Sequence, residues 1–512
     1  MPQGSSIRLS RIAGGVAGVV GLAVAELGAG LIARDGSPVS DVAQVVIAIL
    51  PAAWVAEVAG ALGLSLRIVL MAGIVTVGLV LAVIAGQLEL RRKQLSLAIY
   101  LPVGVLTLLA VSTQVGPGAL GYVPAVLGLA AGYLTLRLLI AEIRRPPGAL
   151  EPVAAERRNF LKTAGLVTLG GIVVAGAGRM LVQASNKVAE VRTKIVLPAP
   201  ANPAPSVPPG TDLQVAGLTE YITPTDSFYR IDTALQLPAI DPETWTLKIT
   251  GLVDNELTIT YAELLARPLT EHLTTLTCMS NQVGGDLAGN AVWLGVPVRE
   301  LLAEAKPRSA ATMVLSVSQD GWSAATPLST LIDSDTTALL ALGMNGEPLS
   351  AEHGFPVRMV VPGLYGDVSA TKWLTELKLT TFDDDQGYWA QQGWAERGPI
   401  KIASRIDIPR RSVVEPGTVI VAGVAWAQTL GISRVQLQID DGPWRDTELA
   451  ETAGADTWRQ WAYEWKATEP GDYLLTVRAT DDDGRVQTDT EVPPFPNGSS
   501  GLHSVSVKVR PE

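Results

Sequence analysis

Apolar residues crowd into the first third of the chain. Four runs there, Ile12–Ala33, Leu66–Leu88, Leu95–Val115 and Gly118–Ala141, each approach the ~20 residues that a helix needs to cross a bilayer. A fifth, Thr163–Ala184, is Gly-rich and less apolar. Asp41–Gly63 is interrupted by Gln44, Pro51, Trp54 and Glu57 and reads as a re-entrant or interfacial segment. After residue 211 the pattern changes to short β-branched runs such as Trp245–Thr250 and Met313–Val317, separated by turns rich in Gly, Pro and Asp. Beyond residues 398–412, strand candidates at Val419–Ala425, Arg434–Ile439, Tyr473–Ala479 and His503–Val509 alternate with turns such as Asp440-Asp441-Gly442. This spacing predicts an antiparallel sandwich of the immunoglobulin-like class.

The chain is thus expected to be multidomain. Residues 1–184 form an α-helical transmembrane bundle, 185–216 a Pro-rich linker, 217–398 an α+β domain and 399–512 the β-sandwich. The stretch 196–210, VLPAPANPAPSVPPG, reads as an extended spacer that lifts the outer part off the membrane. Arg91-Arg92-Lys93, Arg144-Arg145 and Arg157-Arg158 fall in short loops, which are retained in the cytoplasm. Five crossings then leave everything after residue 185 outside the cytoplasmic membrane. Glu156-Arg157-Arg158-Asn159-Phe160-Leu161-Lys162 resembles a twin-arginine export signal, placed internally.

Charge narrows the function further. The net charge of −11, without a strongly basic run, argues against a nucleic-acid binder. A single cysteine excludes an intrachain disulfide, a CxxC zinc site, a Cys-ligated iron–sulfur cluster and a CxxCH haem attachment. With three histidines, His272, His353 and His503, a multi-His metal centre is not expected. The acidic triplets 383–385 and 481–483 lack the twelve-residue calcium loop and read as solvated turns. Trp426, Trp444, Trp458, Trp461 and Trp465 read as sandwich core and dimer contact.

Cys278 is the most informative residue. It follows an alternating Thr/Leu strand and precedes the loop Met-Ser-Asn-Gln-Val-Gly-Gly, a position suited to meeting a ligand. Its thiolate would serve as a soft metal ligand or as a nucleophile with His353 as base; the alternative is a small buried hydrophobe.

Three blocks carry a family resemblance: Phe228-Tyr229-Arg230; Cys278 through Gly289-Asn290-Ala291-Val292-Trp293-Leu294-Gly295-Val296-Pro297; and His353-Gly354-Phe355-Pro356-Val357-Arg358, running into Val361-Pro362-Gly363-Leu364-Tyr365-Gly366 and Lys372-Trp373-Leu374. Over nearly all of residues 217–512 the chain resembles the sulfite oxidase family of molybdopterin oxidoreductases, and the sandwich resembles that family's dimerisation domain. The resemblance implies a Mo-molybdopterin cofactor with one pyranopterin, and oxygen-atom transfer at Mo(VI)/Mo(IV) on a small-molecule substrate. Cys278 matches the molybdenum ligand. Tyr229, Arg230 and Ser318 match pterin contacts, His353 and Arg358 the pair on the pterin and its phosphate, and Thr371 and Lys372 the loop that completes the phosphate site. Having no haem, flavin fingerprint or iron–sulfur ligands, the chain implies a separate electron-transfer partner or quinone. Membrane lipid is expected around the helices, and a homodimer is suggested by the sandwich. The alternative is a non-catalytic surface module for binding or adhesion that retains the fold.

Sulfite oxidases carry substrate-binding arginines where this chain has Gln282-Val283 and Ile231, which weakens sulfite and nitrate as substrates. In this respect the chain is closer to the periplasmic methionine-sulfoxide reductase branch. One extra residue also lies between Gly366 and Lys372.

Overall fold

The computed structural model describes residues 3–29, 37–49, 65–112, 121–144, 165, 192–234, 237–409 and 413–510. The twin-arginine-like segment, all of the expected fifth span except Gly165, and residues 50–64 lie outside these. Two compact units divide the chain, one of residues 1–191 with 233–239, the other of 192–232 with 240–512.

The first unit contains α1 (Gln3–Gly28), α2 (Pro38–Ile49), α3 (Ser65–Arg91), α4 (Leu97–Ser112) and α5 (Val123–Arg144). Ser6–Gly28, Val69–Arg91 and Val123–Arg144 are long and apolar enough to cross a membrane, whereas Leu97–Ser112 is a shorter apolar helix. The α1 helix begins well before the expected Ile12, because Ser5, Ser6, Arg8 and Arg11 continue the helix although they are polar. Leu9, Ala13 and Ala17 of α1 pack with Ala85 of α3 and Leu136, Leu139 and Ile140 of α5. Small residues permit this closeness: a Cβ on Gly86 would strike the backbone of Ser10 and Gly14. Val69, Val77, Val80, Leu101, Leu106, Leu109, Leu134 and Leu138 are exposed, the apolar exterior of helices that suit lipid.

The second unit opens with an α+β region of two sheets. Strands β1 (Thr246–Gly251), β2 (Leu257–Thr260), β3 (Thr270–Thr277), β4 (Ala288–Pro297), β5 (Met313–Ser318), β6 (Ser323–Pro327), β7 (Leu339–Met344), β8 (Glu347–Pro348), β9 (Arg358–Val360) and β10 (Leu374–Thr380) form orders β2-β1-β10-β5-β6 and β3-β4-β7-β8, with β9 on β7. Short helices cover them. The first of these, α6 (Tyr261–Leu265), starts at a capping box in which Thr260 and Glu263 satisfy each other's backbone N–H groups.

The C-terminal region is mostly β-sheet: β11 (Ala403–Ile408), β12 (Val413–Val414), β13 (Gly417–Trp426), β14 (Ile432–Ile439), β15 (Arg445–Asp446), β16 (Glu448–Leu449), β17 (Arg459–Ala467), β18 (Gly471–Asp481) and β19 (His503–Val509). They form sheets ordered β11-β13-β17-β16 and β12-β19-β18-β14-β15, whose apolar faces share one core that includes Val421, Trp461, Leu437 and Val477. Four of these strands match expected runs, while β17 was hidden among the tryptophans.

Two expectations change. The α+β and β-rich regions are not separate bodies: Tyr221, Leu273 and Ala288 share a core with Val424, Trp426 and Trp458, and Trp458 Nε1 donates to the Tyr221 carbonyl at 2.8 Å. The Pro-rich stretch is extended as expected, but it is strapped to this unit and does not stand free. Ala201 N–H donates to the Leu269 carbonyl and Glu271 N–H to that of Asn202, each at 2.8 Å, beside the start of β3. Of the tryptophans, Trp426, Trp458, Trp461 and Trp465 are core, while Trp444 lies under the Arg478 guanidinium, 4.1 Å from its ring centroid.

Candidate functional site

Cys278 leaves the end of β3 where β4 pairs with it, and its N–H donates to the Leu287 carbonyl at 2.9 Å. Asn281 closes the following loop by accepting from Leu287 N–H at 3.0 Å. The sulfur lies 3.0 Å from Ser280 Oγ. Burial pushes the thiol's pKa up, partly offset by Ser280, while the nearby Asp367 carboxyl adds to the rise. The isolated protein therefore favours the thiol, and a bound cation is what would make it a thiolate.

Phe228 anchors the adjoining loop. Its ring occupies the space a Cβ would need at Gly289, and its ring meets Trp293 and His353 edge-on. Tyr229 stacks on Phe228 at 5.2 Å and is buried beside Cys278, Arg358 and Asp367; burial raises its pKa most, and Arg358 opposes the rise. Arg230 Nε and Lys372 Nζ both donate to Asp232 Oδ2, at 2.9 and 2.8 Å. Lys372 also donates to the Glu352 carbonyl at 3.1 Å, and burial lowers its pKa to about 8 against the pull of Asp232.

His353 Nε2 lies 3.0 Å from the Thr225 carbonyl, which can only accept, so in the neutral ring the proton sits on Nε2. Burial, then Arg358, push its pKa down to about 4. The nitrogen that contacts protein is thus directed at Thr225, and the thiol at Ser280, so the pairing of His353 as a base for Cys278 is not what this geometry builds. Arg358 is buried over the Trp293 ring at 5.0 Å and has only long contacts, to the carbonyls of Met359 at 3.3 Å and of His353 and Ala370 at 3.4 Å each. Burial lowers its pKa to about 10. Ser318, at the end of β5, buries its Oγ without a partner in hydrogen-bond geometry, next to the buried Asp320 carboxyl.

The structure therefore brings Tyr229, Arg230, Cys278, Ser318, His353, Arg358 and Lys372 to one region. Thr371 is placed there too, but its hydroxyl is 2.6 Å from Ser316 Oγ inside the core. Sequence reading missed Asp232, although it stands two residues after Arg230, and Asp320 and Asp367. The remaining histidines serve structure: His272 Nε2 is 2.7 Å from Asp456 Oδ2, and His503 Nδ1 accepts from Ile406 N–H at 3.0 Å. Among the described residues no group of His, Cys, Asp and Glu gathers as a conventional metal site.

Comparison with known proteins fixes the family. The sequence family "Oxidoreductase molybdopterin binding domain" matches residues 234–389. An uncharacterized oxidoreductase of Bacillus subtilis, YuiH, is 34% identical over 158 residues, which are 31% of this chain and 76% of that protein. The chain belongs to the sulfite oxidase family of molybdopterin oxidoreductases. Mouse mitochondrial sulfite oxidase is 29% identical over 346 residues, so this sulfite oxidase-family chain spans 57% of its own length and 63% of that relative's. The fold is similar to that of the sulfane dehydrogenase SoxCD from Paracoccus pantotrophus, with a TM-score of 0.50 at 23% identity over 58% of this chain and 85% of that one. The protein is accordingly an oxidoreductase that uses a molybdopterin cofactor.

The residues present fit that group. A pterin phosphate requires cations with N–H donors to spare, and Arg358 is a buried guanidinium whose protein contacts are all 3.3 Å or longer. Ser318 Oγ is a second buried polar group, placed beside the Asp320 carboxyl and with room to bond a ligand.

Proposed function

We propose that this protein is a membrane-anchored molybdenum enzyme that performs two-electron oxygen-atom transfer on a small substrate outside the cytoplasmic membrane. The observation that carries the reading is the cluster of Arg230, Arg358 and Lys372 beside Cys278: Asp232 pairs with Arg230 and Lys372, whereas the buried Arg358 meets only carbonyls, all at 3.3 Å or longer. A buried guanidinium held so weakly is costly unless an anion completes it.

In this reading Cys278 holds the molybdenum, Tyr229 and Ser318 contact the pterin, and His353, Arg358 and Lys372 grip the pterin and its phosphate. Arg230 closes over them, held in place by Asp232. The cofactor supplies oxygen-atom transfer at molybdenum. His353 stays neutral in the physiological range, so Nε2 keeps its proton, donates it to the Thr225 carbonyl and holds the ring in one orientation. The helices anchor the chain with the catalytic unit extracytoplasmic, after a twin-arginine-type signal. The C-terminal sheets form an immunoglobulin-like sandwich suited to a homodimer, and electrons pass to a separate protein or quinone.

Molybdenum in the detergent-purified full chain, from a host that makes and inserts the cofactor, tests the reading. About one metal per chain is expected. Folded protein without molybdenum would overturn it.

A further inference from the structure

The three-residue turn Gly366–Val368 carries a carboxyl that the cofactor reading does not use. This turn packs against the strand end that bears Cys278. A Cβ on Gly366 would lie 3.9 Å from the Thr277 carbonyl, and one on Gly398 would touch Met279, Val368 and Tyr365 together. Asp367 buries both carboxylate oxygens, which meet no side-chain partner in hydrogen-bond geometry and are supported only by its own turn's backbone N–H groups. Its field acts on Cys278, Tyr229 and Tyr365, the three polar groups of this end of the site. Among the described residues no cation is found among the groups that act on it. Arg358 acts on Tyr229 but is not among the groups that act on Asp367, whose pKa burial raises to about 7 against its own turn's backbone N–H groups. The cations of the neighbouring loops are turned to other partners, Arg405 to the Gly285 carbonyl and Asp407, and Lys401 to the Gly498 carbonyl, while Gln282 is exposed and uncharged and Ile231 is 46% exposed and apolar.

We propose that Asp367 sets the charge class of the substrate, so that the pocket beside Cys278 refuses oxyanions and admits uncharged or cationic molecules with an exchangeable oxygen. The inference rests on the reading of this pocket as the substrate site. It holds in either protonation state. An ionised Asp367 repels an anion, and a protonated one offers a single hydrogen-bond donor to a neutral oxygen acceptor without the positive charge that oxyanion capture requires. A buried carboxyl supported only by its own turn is also destabilising, and a ligand that adds to its hydrogen bonds relieves that cost.

The test uses the full-length enzyme in detergent, with sulfate and dimethyl sulfoxide as probes, titrated by calorimetry and by tryptophan fluorescence. Wild type should saturate with dimethyl sulfoxide and show no saturable response to sulfate. Asp367→Arg should reverse that order and tighten sulfate binding at least ~10-fold. Asp367→Asn, nearly isosteric and thus safe for folding, should lie between them. The proposal is overturned if wild type binds sulfate as tightly as Asp367→Arg does, or if Asp367→Asn leaves both affinities unchanged. Protein without molybdenum would sink the parent reading alone, because the fluorescence titrations would still decide the charge preference of the pocket.

Discussion

At the Arg230–Lys372 end of the site, two cations converge on one carboxylate at 2.9 and 2.8 Å, and that carboxylate is itself nearly inaccessible to solvent. At the Cys278 end, a carboxylate of similar burial meets no side-chain partner and has only its own turn's backbone N–H groups for support. The first end is held by the protein's own pairing and is ready for an anion to complete it. The second keeps an acid without a side-chain counter-charge, a stability cost of the kind that marks functional ground. In the proposed reading the same sulfite oxidase-family scaffold treats two neighbouring ligands in opposite ways, attracting a phosphate and withholding attraction from an oxyanion.

The largest effect that separates the two ends is expected for Cys278→Ser. Turnover should fall to background, beyond the ~100-fold that the loss of even an outer contact of a metal can cost. Pterin retention should survive in part, because Arg358 and Lys372 remain. Metal and pterin contents, measured separately, check this; equal loss of both would show that the ends are not independent.

Next comes Asp232→Ala. Removing the shared carboxylate takes from Arg230 and the nearly buried Lys372 their bonded counter-charge and leaves only the more distant Asp320 and Glu352, at an expected cost of up to roughly 3 kcal/mol in the cofactor-free protein. Thermal unfolding of loaded and cofactor-free protein measures it. The loss should be smaller in loaded protein, where the phosphate supplies the missing negative charge. Equal losses would argue that no anion binds there.

This contrast was only half legible in the sequence. Cys278 stood out because it is the lone cysteine at a strand end, and His353 and Arg358 because their spacing survives within one short block. Asp232 and Asp367 did not, since burial of a carboxylate depends on what the rest of the chain stacks over it. In sequence both sit in turn-like surroundings where aspartate is ordinarily solvated. The apolar helices were legible for the opposite reason, a one-dimensional pattern long enough to speak for itself. The Pro-rich strap was read as a free spacer because proline predicts an extended chain but says nothing of the strand edge that captures it. Strand β17 was missed although its tryptophans were read as sandwich core and dimer contact, because their residues were not assigned to a strand of their own.

A smaller effect of opposite sign is expected for Asp367→Asn, in stability rather than turnover. The folded chain raises this carboxyl from 3.8 to about 7, so between those pH values it keeps a proton that the unfolded chain has lost. Stability falls as pH rises through that window, and the penalty is complete above about pH 7. Asparagine removes the penalty. The variant should be more stable than wild type at pH 8 by up to a few kcal/mol, at about 1.4 kcal/mol per pH unit of the window, and no more stable near pH 4. Thermal scans of the cofactor-free protein at the two pH values decide it; a gain independent of pH would assign the effect to packing.

The smallest effect sharpens the boundary of the phosphate end. Family resemblance places Thr371 on the phosphate, yet here its hydroxyl is 2.6 Å from Ser316 Oγ, and its carbonyl accepts from Met359 N–H at 2.8 Å. If the side chain serves only the core, Thr371→Val should cost about 1 kcal/mol, the usual worth of one hydrogen bond. Ser316 keeps its bond to the Ala324 carbonyl at 3.2 Å, so no buried hydroxyl is orphaned. Cofactor content should then be unchanged, because the loop would act through backbone groups that valine leaves in place. A fall in pterin content without a larger stability loss would instead show that the hydroxyl turns to the phosphate when the cofactor binds, extending the attractive end of the site by one residue toward β10.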